Sequence, residues 1–197
     1  GKGGHSWGAF GLANPHHALG YAIKEFSVNA KKYTDEGPKT SFNIGRMGGG
    51  TSVNSIPFES WMEVDMRSVD KDRLVEIDSI FKASMQTALE EYNNSGIDDK
   101  ISLELIKIGD RPSGELSIDT PLVQRAISVT TLFGSTPSLT RGSTNSNIPI
   151  SLGIPAITIG RGGIGGGAHS LNEWWLNENG AEAIKLALLL TVSEAGY

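Results

Sequence analysis

Apolar positions in the first half of the chain follow two periods in turn. After Asn14-Pro15, residues Ala18, Leu19, Ala22, Ile23 and Phe26 fall at helical spacing and predict a helix to about Lys32. Asn14 suits an N-cap, and Pro15 suits the first helical position, where a missing N–H costs nothing. Strands are expected at 40–47 and 58–67. In the second, Phe58, Met62, Val64 and Met66 alternate with Glu59, Glu63, Asp65 and Arg67, giving one buried and one polar face. A second helix from Asp70 to about Tyr92 carries Leu74, Ile77, Phe81, Met85, Ala88 and Tyr92 on one face, and Asn93-Asn94-Ser95-Gly96 stops it. Ile101, Leu103 and Leu105 alternate in a further strand. With a strand at 2–7 the order becomes β-α-β-β-α-β, a ferredoxin-like sandwich with both helices on one face of an antiparallel sheet.

The pattern changes after Asp110-Arg-Pro-Ser-Gly114. Thr120-Pro121 opens a helix to about Phe133, 138–141 reads as a short strand, and 145–152 as a short helix. Residues 154–159 form a continuous apolar strand, and a last helix from Asn177 bears Ile184, Leu188 and Val192. Strands alternating with helices predict a parallel, helix-covered sheet, yet two strands are too few to be covered on both faces. The fold class is thus α/β: an α+β domain over 1–112, then an incomplete parallel α/β segment over 113–197.

Composition narrows the function. The 197 residues carry 17 basic and 22 acidic side chains, a net charge of -5. With no long basic run, nucleic acid and anionic membrane are poor partners. The chain has no cysteine, which excludes disulfides and thiolate–metal sites. Its longest apolar run, Leu186-Ala-Leu-Leu-Leu190, is too short to span a bilayer. No signal peptide is visible, a cytoplasmic location is expected, and the start at Gly1-Lys2-Gly3-Gly4 reads as an edge inside a larger protein.

Candidate chemistry centres on Gly165-Gly-Gly-Ala-His169-Ser-Leu-Asn-Glu173. A histidine on a glycine-rich turn after a buried strand is where α/β proteins place metal ligands and reacting groups. Two other motifs read as coincidences. Gly4-His5-Ser6-Trp7-Gly8 fits the G-x-S-x-G nucleophile elbow, but too few residues precede it for the required strand, and Gly8-Ala-Phe-Gly11 stands where the helix should begin. Gly163-Ile-Gly165-Gly-Gly-Ala168 fits a dinucleotide fingerprint, but His169 to Trp175 is no helix start for a pyrophosphate.

Five segments occur in order: Gly4-His5-Ser6 with Asn14-Pro15, Gly50-Thr-Ser-Val-Asn54-Ser-Ile-Pro57, Val64-Asp65-Met66-Arg67, Gly142-Ser-Thr144, and Gly167-Ala-His169-Ser-Leu-Asn-Glu173. Together they resemble the zinc-dependent exopeptidase and deacylase family of carboxypeptidase G, aminoacylase, succinyl-diaminopimelate desuccinylase and the tri- and dipeptidases. The resemblance implies a lid, or dimerisation, domain near 1–112 followed by the C-terminal part of a catalytic domain. It gives His5 the catalytic role of a lid histidine that reaches a partner subunit's site and stabilises an oxyanion. It gives Asn54 and Arg67 contacts to the substrate's carbonyl and carboxylate, and lays the backbone of Gly142, Ser143 and Thr144 against the substrate. His169 resembles the last metal ligand, with Glu173 a candidate to orient its ring.

The resemblance also implies two zinc ions in the parent enzyme, a homodimer formed through the lid, and a small peptide or N-acyl amino acid as substrate. The chain departs from that pattern in two ways. Asn145 stands where many members have aspartate. The histidine-x-aspartate pair is absent, and Glu90-Glu91, inside the lid helix, cannot replace the family's paired glutamates, so the zinc site is incomplete and this chain alone is expected to be inactive. Other readings stand beside these. Arg67 equally suits an exposed place on the polar face of the sheet, and the serines near 143 could simply cap a helix. Two further functions stay open, a non-catalytic ferredoxin-like dimerisation or binding module and, more remotely, a serine hydrolase using Ser6.

Overall fold

The structure, a computed structural model, describes residues 1–97 and 99–197. Among the described residues it is a mixed α/β chain with five helices and small antiparallel sheets. The chain divides into two compact units, Gly1–Ile108 and Gly109–Tyr197.

The first unit is organised by a long hairpin and two helices. β2 (Thr40–Gly49) pairs antiparallel with β4 (Ser60–Ser68), in a register that sets Phe42 opposite Met66 and Ile44 opposite Val64. These alternate residues share one face, where α1 (Pro15–Thr34) and α2 (Lys71–Asn93) cover them. Both helices begin as their sequences dictate. The Asn14 side chain accepts the His16 N–H at 2.9 Å, and the Asp70 carboxylate accepts those of Asp72 and Arg73 at 2.9 and 3.0 Å. Phe26 and Ile77 are wholly buried at the centre. Phe26 meets Phe42 and Phe81 edge-to-face, each at 5.1 Å between ring centres, the arrangement the aromatic quadrupole favours. Gly45 is an extra residue between Ile44 and Arg46, and the resulting bulge bends β2.

Three details of this unit differ from the pattern-based expectation. β1 (Gly4–His5) is only a short strand, and it pairs with β3 (Ser55–Ile56) instead of joining the main hairpin. Phe58 lies outside β4 and is exposed, because the strand starts at Ser60. Residues 101–105 form no strand. The Asn93 side-chain amide donates to the Ile101 carbonyl and accepts its N–H, both at 3.1 Å, so these backbone groups are satisfied without a ladder.

The second unit contains α3 (Pro121–Leu132), α4 (Asn147–Ser151), β5 (Ile164–Gly166), β6 (Trp174–Leu176) and α5 (Gly180–Glu194). α3 packs on α5, burying Val123, Val129 and Leu190 and pairing Arg125 with Glu194. The stripe Ile184, Leu188 and Val192 is not the buried face of α5: Ile184 is 73% and Leu188 63% exposed, whereas Leu190 is 7%. Among the described residues no strands pair in parallel, and neither 138–141 nor 154–159 is a strand. An apolar run becomes a parallel strand only where a neighbouring strand takes its N–H and C=O groups, and among the described residues no strand lies beside 154–159; the Ile154 N–H donates to the Pro149 carbonyl at 2.9 Å instead. Among the described residues the unit's one sheet is the antiparallel pair β5–β6.

Candidate catalytic and substrate-binding residues

In the first unit the fold brings His5 and Asn54 together. His5 lies in β1 opposite Ser55, and the next residue, Ser6, donates its N–H to the Asn54 carbonyl at 2.9 Å. The turn after β1 wraps the imidazole: the N–H groups of Trp7 and Gly8 donate to His5 Nδ1 at 3.2 and 3.4 Å. A nitrogen that accepts hydrogen bonds carries a lone pair, so the ring proton of neutral His5 is on Nε2. The ring is exposed, and Nε2–H is left as an outward donor. The Asn54 side chain is set in a similar way. Ser52 Oγ donates to Asn54 Oδ1 at 2.7 Å, which leaves the Nδ2 amide free to donate. Ser52 was missed in the sequence, although its spacing of two from Asn54 is a common local turn signal.

Arg67 lies elsewhere in the unit. It pairs with Ser41 near the far end of the hairpin, about 23 Å along β4 from Ser60 at the usual rise per residue. Its Nε donates to Asp65 Oδ2 at 2.7 Å on the exposed face of the sheet. Among the described residues no hydrogen bond or ion pair joins it to His5 or Asn54. Nor does Ser6 sit on a nucleophile elbow. Turn residues 7–12 follow it, α1 begins only at Pro15, and no hydrogen bond links Ser6 Oγ to a histidine among the described residues.

In the second unit, Gly142, Ser143 and Thr144 form a loop fixed by side chains. The Thr144 N–H donates to Asn147 Oδ1 at 2.9 Å, and the Thr144 hydroxyl accepts from Thr158 Oγ1 at 2.8 Å. Asn147 is itself anchored, donating from Nδ2 to the Pro112 carbonyl at 3.0 Å. Ser143 Oγ accepts from Arg111 at 3.2 Å, which puts a cation against the loop. Asn145 is exposed.

His169 occupies the loop of the β5–β6 hairpin with φ 65°, a left-handed conformation uncommon outside glycine. Glu173 does not orient its ring. Oε2 of Glu173 accepts the His169 backbone N–H at 3.1 Å, and this contact holds the strained turn in place. The ring is exposed, and no cluster of three metal-ligating side chains occurs among the described residues. One imidazole does not make a zinc site, so the residues present do not fit a metal ion.

A family model described as "Peptidase dimerisation domain" matches residues 1–93. No curated protein matches the chain in sequence. Among solved structures, aminopeptidase PepT from Bacillus cereus ATCC 10987 is 19% identical with a TM-score of 0.56, covering 96% of this chain and 48% of its own. AtUAH in complex with (S)-hydroxyglycine is 19% identical with a TM-score of 0.70, covering 98% of this chain and 44% of its own. The AtUAH complex with glyoxylate is 18% identical, with the same TM-score and coverage. At these identities the likeness is one of fold, and the chain spans less than half the length of each structure. Among the described residues no helix is long and apolar enough to cross a membrane.

Proposed function

We propose, from the match of residues 1–93 to the model described as "Peptidase dimerisation domain", that the chain supplies the dimerisation and substrate-positioning part of a zinc-dependent hydrolase of peptide or N-acyl amide bonds. Metal ligands other than His169 then come from residues outside this chain. One observation carries the reading: the Trp7 and Gly8 N–H groups occupy His5 Nδ1, so the proton of the neutral ring is on Nε2, on an exposed residue whose neighbour Ser6 is bonded to the Asn54 carbonyl. Attack on an amide carbonyl builds negative charge on oxygen, and a preset N–H donor stabilises that charge without reorganising. Asn54 Nδ2 is a second neutral donor for the same carbonyl. Arg67, at the other end of β4 from this pair, is proposed as a separate carboxylate contact that would have to release Asp65, and Gly142, Ser143 and Thr144 as backbone contacts within the second unit.

The dimer in this reading is a homodimer joined at a sheet edge. Both outer edges of the β2–β4 hairpin lack a strand partner among the described residues. The bulge at Gly45 disfavours β2, which leaves β4 as the flatter edge for a second copy. Sedimentation of the chain should show dimers that dissociate on dilution, and a monomer at every concentration would refute this part.

The catalytic part is tested in the hydrolase with its metal centre complete, using dipeptides and N-acyl amino acids. His5→Ala should lower kcat by about 10²–10³-fold, the usual cost of one oxyanion donor. An unchanged kcat would sink the assignment. The alternative, a binding module without catalysis, predicts dimers and no hydrolysis of either substrate class.

A further inference from the structure

We propose that His16 is a positioning residue for the His5–Asn54 pair, acting through the connection between β2 and β4. The functional part of this inference rests on the hydrolase reading above, while its structural part does not. His16 stands in the first turn of α1, with its backbone fixed by the Asn14 cap. The Asn14 N–H in turn donates to the Tyr92 hydroxyl at 2.8 Å, and Tyr92 is buried at the end of α2. The ring is therefore held from a rigid corner of the first unit.

From that corner it bonds one end of the connection carrying Asn54 and lies close against the other. His16 Nδ1 lies 2.8 Å from Ser60 Oγ, and Ser60 Oγ donates to the Gly48 carbonyl at 3.3 Å. The hydroxyl has one proton, and once it goes to Gly48 the oxygen must accept from His16 Nδ1–H. Neutral His16 then turns its Nε2 lone pair toward Gly50. There the chain passes so closely that a Cβ on Gly50 would sit 2.9 Å from Nε2, and φ of +75° adds a second reason for glycine.

Three consecutive glycines, Gly48, Gly49 and Gly50, would otherwise leave the exit from β2 loosely defined. Between Gly50, which the His16 ring crowds, and Ser60, which it bonds, the connection delivers the Asn54 carbonyl to the Ser6 N–H, next to His5. His16 thereby sets where Asn54 stands relative to His5 without touching either.

Amide exchange measured by NMR on the chain tests this directly, because the Ser6 N–H reports the bond to Asn54. His16→Ala should speed Ser6 exchange by about 2–10-fold, the loss expected for one hydrogen bond, with amides around Ile77 unchanged. His16→Asn keeps a side-chain N–H at the position of Nδ1 and should restore slow exchange. In the complete hydrolase, His16→Ala should lower kcat while the melting temperature stays constant, and His16→Asn should recover it. Unchanged Ser6 exchange in His16→Ala overturns the proposal. So does equal acceleration at Ile77, which would mean general loosening, and so does failure of His16→Asn to rescue. If His5→Ala leaves hydrolysis intact, the hydrolase reading falls while the exchange result still decides the positioning role.

Discussion

The two units bury their apolar residues to different degrees. In the first, α1, α2 and the hairpin enclose Phe26, Ile77, Met85 and Ala88 almost completely, and every helix start has its cap. In the second, α3 and α5 bury Val123, Val129 and Leu190, while Leu132, Ile154, Ile184 and Leu188 remain exposed. Single exposed apolar residues are ordinary, but so many around so small a core indicate surfaces shaped for something else to cover. The contrast teaches that a regular apolar pattern marks a face that can be buried, and burial itself needs a partner element in reach.

The sharpest break of this comparison is in the two cores. Phe26→Ala should cost about 3–5 kcal/mol in urea unfolding of the first unit, through the cavity and two lost aromatic contacts. A cost below about 1 kcal/mol would show that its core is no tighter than that of the second unit. Next comes the cap of α2. Asp70→Ala removes the acceptor for two backbone N–H groups and should cost about 1 kcal/mol in the same measurement, with Asp70→Asn restoring most of it.

Leu188→Ser probes the other side of the contrast. If Leu188 were core, as its spacing suggested, the change would cost several kcal/mol; exposed as it is, the shift should stay within about 0.5 kcal/mol. The smallest effect concerns Asp99, whose Oδ2 is buried with no hydrogen-bond partner among the described residues. Burial pushes its carboxyl up, but the Lys100 backbone N–H and the Lys2 ammonium at 3.3 Å outweigh that and hold it below the usual aspartate range. A depressed folded-state value favours folding above the unfolded value, and that contribution is lost as pH falls through the folded one. Acid titration of stability should thus show a small loss below the ordinary aspartate range, which Lys2→Met flattens.

Much of the first unit was legible because its signals are local. Asn14-Pro15 and Asp70 announce helix starts, and the Phe42/Ile44 and Met62/Val64/Met66 alternation lies on a strand pair whose helices are adjacent in sequence. The site was legible only in part. His5 and Asn54 could be named from motifs, but their meeting depends on β1 crossing to β3, a long-range pairing without a local sequence mark. Glu173 beside His169 invited a ring contact, and the left-handed φ at His169 gave its carboxylate to the backbone instead. Nothing local in the sequence marks the His16 contact, for the same reason: its partner Ser60 is distant along the chain.

The sequence by itself determined the helices, the main hairpin with its buried face, and the kinds of chemistry available, with few histidines and no thiols. These follow from periodicity, capping and composition, which act over a few residues. Only the tertiary structure decided which apolar stripes are covered, that 154–159 stays unpaired, which nitrogen of His5 carries the proton, and that Arg67 lies far along β4 from Asn54. Each of these depends on what lies opposite a residue across the fold, and hydrogen-bond partners and burial are fixed there rather than along the chain.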